Sequence, residues 1–292
     1  MAQELKIGTL AVIGVGLIGG SFALGLRKAG VVERVLGVGR RPETLEQARE
    51  LGIIDEAVSS RQAAEQADLI MVAAPVCAFE SVFRELADHL SDRVVITDGG
   101  STKGNVVSAA RATLGNRIGQ FVPAHPMAGS HMFGPQAAYA DLYRNRNVIV
   151  CPLEENAQDT VSYVESAWRT CGARLHRLDV HQHDEVVAAI SHLPHWLASL
   201  YVLQVARDVN ADVDFKMAGA GFADFSRIAQ GSEEMWRDIF VANRPAMLHQ
   251  IDSLHALLSE AKDALAKGDF DWIEQMLRES AERRRQWEQE RS

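Results

Sequence analysis

Gly14-Val15-Gly16-Leu17-Ile18-Gly19-Gly20-Ser21 stands directly after the β-branched run Thr9 to Val12 and directly before a stretch of helical composition, Ser21 to Ala29. The first glycine permits a tight turn, the second lets the backbone approach a pyrophosphate, and the third lets helix and strand pack closely. A strand before and a helix after are the context this dinucleotide fingerprint requires. Gly14, Gly16 and Gly19, with Leu17 and Ile18 between them, are therefore candidate cofactor contacts. An acid for the adenosine ribose is expected about 20 residues further on. Gly39-Arg40-Arg41 stands there instead. No carboxylate repels a 2′-phosphate and two guanidiniums can pair with it, which favours NADP and leaves NAD open. The bland alternative is that both arginines are solvated residues at a helix start.

Outward from this stretch, short apolar runs alternate with helical patterns. Thr9 to Val12, Val35 to Val38, Leu69 to Ala73, Val94 to Thr97, Gln120 to Pro123 and Val148 to Cys151 read as buried strands, with Arg174 to Leu178 as a last short one. Helical periods fall at Ser21 to Ala29, Arg41 to Gly52 and Phe79 to His89. Strand and helix in repetition imply right-handed crossovers and a mostly parallel, doubly wound α/β sheet. After Asp179 the pattern is helical: His181 to Val209, Asp212 to Ala218, Glu233 to Asn243, Pro245 to Ala266 and Asp269 to Trp287. Two domains are expected, 1–178 binding a dinucleotide and 179–292 all-helical.

Composition narrows the function. Of 292 residues, 47% are hydrophobic and 24% charged, ordinary globular usage. A net charge of −9 argues against nucleic acid or an anionic membrane as the main partner. Cys77, Cys151 and Cys171 form no CxxC pair, which suits a reducing, cytoplasmic setting. The apolar stretches Leu10 to Ile18 and Leu69 to Val76 are too short to span a bilayer.

Four further segments carry chemistry: Gly99-Gly100-Ser101-Thr102-Lys103-Gly104, His125-Pro126-Met127-Ala128-Gly129-Ser130, Ser191-His192-Leu193-Pro194-His195, and Gly221 to Ala229 with Trp236-Arg237-Asp238 nine residues after Arg227. In this order they resemble the prephenate and arogenate dehydrogenases, the cyclohexadienyl dehydrogenase family, from Gly14 to about Arg244. The resemblance implies a Rossmann-type domain followed by a helical one. It also implies oxidative decarboxylation of prephenate or arogenate with hydride transfer to NAD(P), giving 4-hydroxyphenylpyruvate or tyrosine. Imidazole suits the task of accepting a hydroxyl proton near neutral pH. By resemblance His125 is that base, and Ser101 hydrogen-bonds both His125 and the substrate hydroxyl. Arg227 would clamp a substrate carboxylate, for which a planar fork is the right shape. Ser191, His192 and above all His195 would line the substrate pocket. Lys103 is left between capping its loop and touching cofactor phosphate.

His131 stands where prephenate-preferring relatives commonly carry an acid, which leaves the choice between the keto acid and the amino acid open. The histidines from His176 to His195 lack an HExxH or a cysteine pair, so no metal is expected. Trp236 reads as a buttress of the pocket. Apolar residues such as Leu248, Leu258 and Leu277 exceed what one helical hairpin hides, and relatives dimerise through this part, so a homodimer is expected. Two rivals remain. A β-hydroxyacid dehydrogenase or imine reductase shares the two-part build, but the former needs a mid-chain lysine, and lysine is absent from 160 to 210. A catalytically silent NADP-binding sensor would not need Ser101, His125 and Arg227 together.

Overall fold

The computed structural model describes residues 5–129 and 132–291. Six parallel strands form the main sheet in the order β3-β2-β1-β4-β5-β6. They are β1 (Ile7–Ile13), β2 (Val32–Val38), β3 (Glu56–Ala57), β4 (Leu69–Val72), β5 (Val95–Asp98) and β6 (Phe121–Val122). The order reverses beside β1, and the fingerprint loop leaves the carboxyl end of that strand, the switch point where such sheets take ligands.

Alternate residues face opposite layers, as the period of a strand requires. Leu69 and Met71 join Phe22, Leu26 and Trp168 in one cluster, while Ile70 and Val72 join Phe79, Phe83 and Phe121 in the other. Helices α1 (Leu17–Lys28), α2 (Pro42–Glu50), α3 (Ser60–Gln66), α4 (Phe79–Ala87), α5 (Gly104–Leu114) and α6 (Gln158–Thr170) supply the covering layers. Phe22 packs on Trp168 with ring centroids 4.5 Å apart, and Phe83 on Phe121 at 5.0 Å.

A second sheet escaped the sequence reading. Past Pro123 the chain leaves the main sheet and forms β7 (Ala124–Pro126), which pairs antiparallel with β8 (Asn147–Val150); β8 in turn pairs parallel with β9 (Arg174–Arg177). His125 therefore lies within a strand opposite Ile149, held by backbone bonds rather than placed in a loop.

The helical stretch expected from His181 to Val209, with Pro194 implying a kink or helix start, is α7 (Val180–Val187), a π-turn at Ala188–His192, and α8 (Leu193–Ala206). Pro194 explains the interruption, because it has no N–H to continue the ladder and sits in the first turn of α8. By length and composition alone Val180–Ala206 could cross a membrane. It carries three buried histidines, His183, His192 and His195, which belong to the polar site described below. Then follow α9 (Ala211–Met217), α10 (Ala220–Ser226) and α11 (Glu233–Ala242). A compact unit ends at Arg244 and a smaller one begins at Pro245. The smaller consists of most of α12 (Arg244–Lys267) and all of α13 (Phe270–Arg291), separated at Gly268, whose φ of 68° suits glycine.

Candidate active site

The fingerprint glycines behave as their positions demand. Gly14 has φ 93°, and a Cβ there would stand 2.4 Å from the carbonyl oxygen of Ala73. A Cβ on Gly16 would meet nothing within 4 Å, so the space above it is open to a ligand. On Gly19 a Cβ would strike the Gly14 carbonyl at 2.5 Å and Val12 at 2.6 Å. No side chain caps α1 and no acid stands in its first turn, so nothing there competes with an anion for its first N–H groups. These residues fit a dinucleotide pyrophosphate. Gly39, Arg40 and Arg41 are exposed at the end of β2, and neither guanidinium has an ion-pair partner among the described residues.

At the carboxyl edge of the sheet, His125 Nδ1 lies 2.8 Å from His183 Nε2, and His183 Nδ1 lies 2.8 Å from Asp184 Oδ1. Asp184 also accepts the backbone N–H groups of Lys103 and Gly104, each at 2.8 Å. Burial pushes the Asp184 carboxyl up, but the His183 bond and those two N–H donors outweigh it, so its pKa falls below the ordinary value. Asp184 is thus ionised and accepts a hydrogen bond from the His183 Nδ1–H. His183 Nε2 is then an acceptor for the His125 Nδ1–H, which leaves His125 Nε2 with its lone pair. That nitrogen has no hydrogen-bond partner among the described residues. Burial drives the His125 pKa well below that of a free imidazole, helped by His183, Lys103 and His192, so the ring is neutral and basic in form.

Ser101 is half-buried at the start of the neighbouring loop, but among the described residues no hydrogen bond joins it to His125. The contact that fixes the orientation of the His125 ring comes from His183. His183 and Asp184 were missed because neither lies in the segments read as carrying chemistry. The signal was the capping box Asp179 to Gln182, which fixes the first turn of α7 and so the direction of His183.

His192 is buried, and its Nδ1 lies 3.2 Å from Asn243 Nδ2, which also donates to the Asp184 carbonyl at 2.8 Å. Burial lowers its pKa to about 4. His192 thus braces the relay from behind, and Asn243 was unforeseen. His195 stacks on Trp236, with ring centroids 3.6 Å apart and planes 13° off parallel. Both line a cavity of about 470 Å³ with Ser199, Phe240 and Arg244. Ser191 is half-buried in the π-turn. Arg227 is exposed, and no described residue pairs with it; it is not among the residues lining that cavity. His131 lies outside the described residues. Among those residues no group of three or more His, Cys, Asp or Glu side chains could hold a metal ion.

Two family descriptions match the chain: prephenate dehydrogenase, nucleotide-binding domain, over residues 22–177, and prephenate dehydrogenase, dimerization domain, over 179–279. The chain belongs to the prephenate dehydrogenase family. It is a nicotinamide-dependent oxidoreductase, and its reaction is the family's oxidative decarboxylation in tyrosine biosynthesis. A cyclohexadienyl dehydrogenase from Zymomonas mobilis is 31% identical over 94% of both chains. The Aquifex aeolicus prephenate dehydrogenase, solved with hydroxyphenyl propionate and NAD+, is 32% identical, with a TM-score of 0.90 over 97% of this chain and 99% of that one. A Synechocystis arogenate dehydrogenase is 25% identical, with a TM-score of 0.84 over 96% and 99%.

Proposed function

We propose that this member of the prephenate dehydrogenase family oxidises and decarboxylates prephenate or arogenate with NADP as preferred cofactor, and that His125 is its general base. The observation that carries the reading is the relay that fixes the His125 tautomer and leaves Nε2 an acceptor without a partner among the described residues. A bound nicotinamide supplies the hydride acceptor. His125 Nε2 takes the hydroxyl proton, and His183 with Asp184 stabilises the imidazolium that forms. The ring carboxylate leaves as carbon dioxide while the ring becomes aromatic, so the protein's work is positioning and charge rather than covalent catalysis. Ser101 approaches the substrate hydroxyl from the adjoining loop, Arg227 takes a substrate carboxylate, and Ser191, His192, His195 and His131 shape the pocket.

Residues 1–178 hold the dinucleotide and 179–292 complete the substrate site and pair two copies into a cytoplasmic homodimer. Arg40 and Arg41, exposed and without an ion-pair partner among the described residues, support the 2′-phosphate reading. One spectrophotometric assay, reducing NADP or NAD with prephenate and then arogenate, tests the whole reading. Higher catalytic efficiency with NADP is expected, by about tenfold or more. Gly39→Asp combined with Arg40→Ser should reverse that order. A Cβ at Gly39 would stand 3.3 Å from Leu45, a contact that needs only a small adjustment. A wild-type preference for NAD would overturn the NADP assignment while leaving the reaction intact.

A further inference from the structure

One buried charge pair beside the relay has no part in the chemistry above. Asp98 ends β5 and Lys103 immediately precedes α5, and both side chains are fully buried. Asp98 Oδ1 accepts the Ala124 N–H at 2.9 Å, while Oδ2 accepts the Gly100 N–H at 2.8 Å and also the Lys103 ammonium. Ala124 immediately precedes His125, and Gly100 immediately precedes Ser101. A single carboxylate therefore fastens the loop of one site residue to the strand of the other. Lys103 is tied in a second time, through its backbone N–H to Asp184. Stability is a poor reason for such a pair, since well-packed apolar residues commonly do as well or better.

We propose that Asp98 and Lys103 are positioning residues for the reaction: Asp98 clamps the Ser101 loop to the His125 strand, and Lys103 sets the electrostatic field at the His125 ring. The inference rests on the reading of His125 as base. Other groups act on that ring from each packed element. His183, with Asp184 behind it, faces it from α7, and His192 from the π-turn. Cys151, beyond the end of β8, stays neutral because burial pushes its thiol up to about 12. Lys103 is the one permanent cation among these groups, and Asp98, whose other oxygen holds the Ala124 N–H next to His125, is its counter-ion. Removing Lys103 takes one positive charge out of this corner, so the field at His125 turns more negative and its protonated form gains. Removing both charges cancels the change.

The test is a titration of the His125 ring by NMR in the full chain with labelled histidines, the signal assigned by its loss in His125→Asn. Lys103→Met should raise the His125 midpoint by about one pH unit, and the acid limb of the kcat/KM profile should move with it. Asp98→Asn with Lys103→Met should bring the midpoint back to the wild-type value. Lys103→Gln, which keeps a donor for Asp98, should move it in the same direction and serves if the methionine variant fails to fold. A midpoint that stays fixed or falls in the lysine variants, or that does not return in the double variant, overturns the proposal. The titration needs no turnover, so it fails or succeeds independently of the base assignment, which His125→Asn kinetics decide.

Discussion

The sheet edge around His125 and the outer helices α8 to α10 treat charge in opposite ways. At the edge, Asp98, Lys103 and His183 are wholly buried, and hydrogen bonds to neighbouring segments offset their desolvation. Just past the end of α10, Arg227 is exposed and has no ion-pair partner among the described residues, and on the helices Leu200, Tyr201, Phe215 and Phe225 are exposed. The first region is organised by the chain's own hydrogen bonds, which is what a base held in one tautomer needs. The second leaves a cation and an apolar face for something else to cover, and a carboxylate-bearing substrate and a second copy of the chain fit those needs.

The sharpest way to separate the two regions is His125→Asn. Turnover should fall by about 10²- to 10⁴-fold, the usual value of a positioned acid or base, with fold and cofactor affinity retained. Near-normal turnover would show that the buried edge is architectural only.

Acid stability should follow the buried edge as well. His125, His183 and His192 all have folded-state pKa values lowered by burial, so the unfolded chain binds more protons once the pH drops below about 6.5. Stability contributed by these neutral rings is complete above that pH and is lost progressively as the pH falls towards the folded values. For His192, lowered to about 4, the loss is on the order of 3 kcal/mol. Denaturant unfolding between pH 7 and 4 measures it, and His192→Gln should flatten the slope. An unchanged slope in that variant would remove His192 from the account.

The smallest effect expected is at the open region. Arg227→Ala should raise the Michaelis constant for substrate about tenfold, since one lost charge-assisted contact costs about 1.5 to 3 kcal/mol. Cofactor affinity should not change. If cofactor affinity falls and the Michaelis constant holds, Arg227 serves the dinucleotide, and the exposed region is not where substrate charge is met.

Local patterning carried much of this protein. The glycines at 14, 16 and 19 and the alternation of strand and helix depend on neighbours a few residues away, so the doubly wound sheet and its phosphate cradle could be read directly. The helix break before Pro194 was visible too, because a missing N–H is a local fact, although its π-turn form was not. Strands as short as Ala124–Pro126 and Glu56–Ala57 carry no period to detect and exist only because a partner strand is beside them.

His125 was legible as a candidate from its motif, but its tautomer was not. That depends on His183, 58 residues away, and on Asp184, itself fixed by N–H groups 80 and 81 residues earlier. Local backbone preference and apolar period were enough for the residue types on offer, the long strands and helices and the phosphate loop, because each depends on neighbours a few positions away. Only the tertiary structure decided that Asp98, Lys103, His125, His183 and Asp184 would share one buried corner. A hydrogen bond across so many residues forms only after packing has closed the loops between its ends, and no local pattern records which ends will meet.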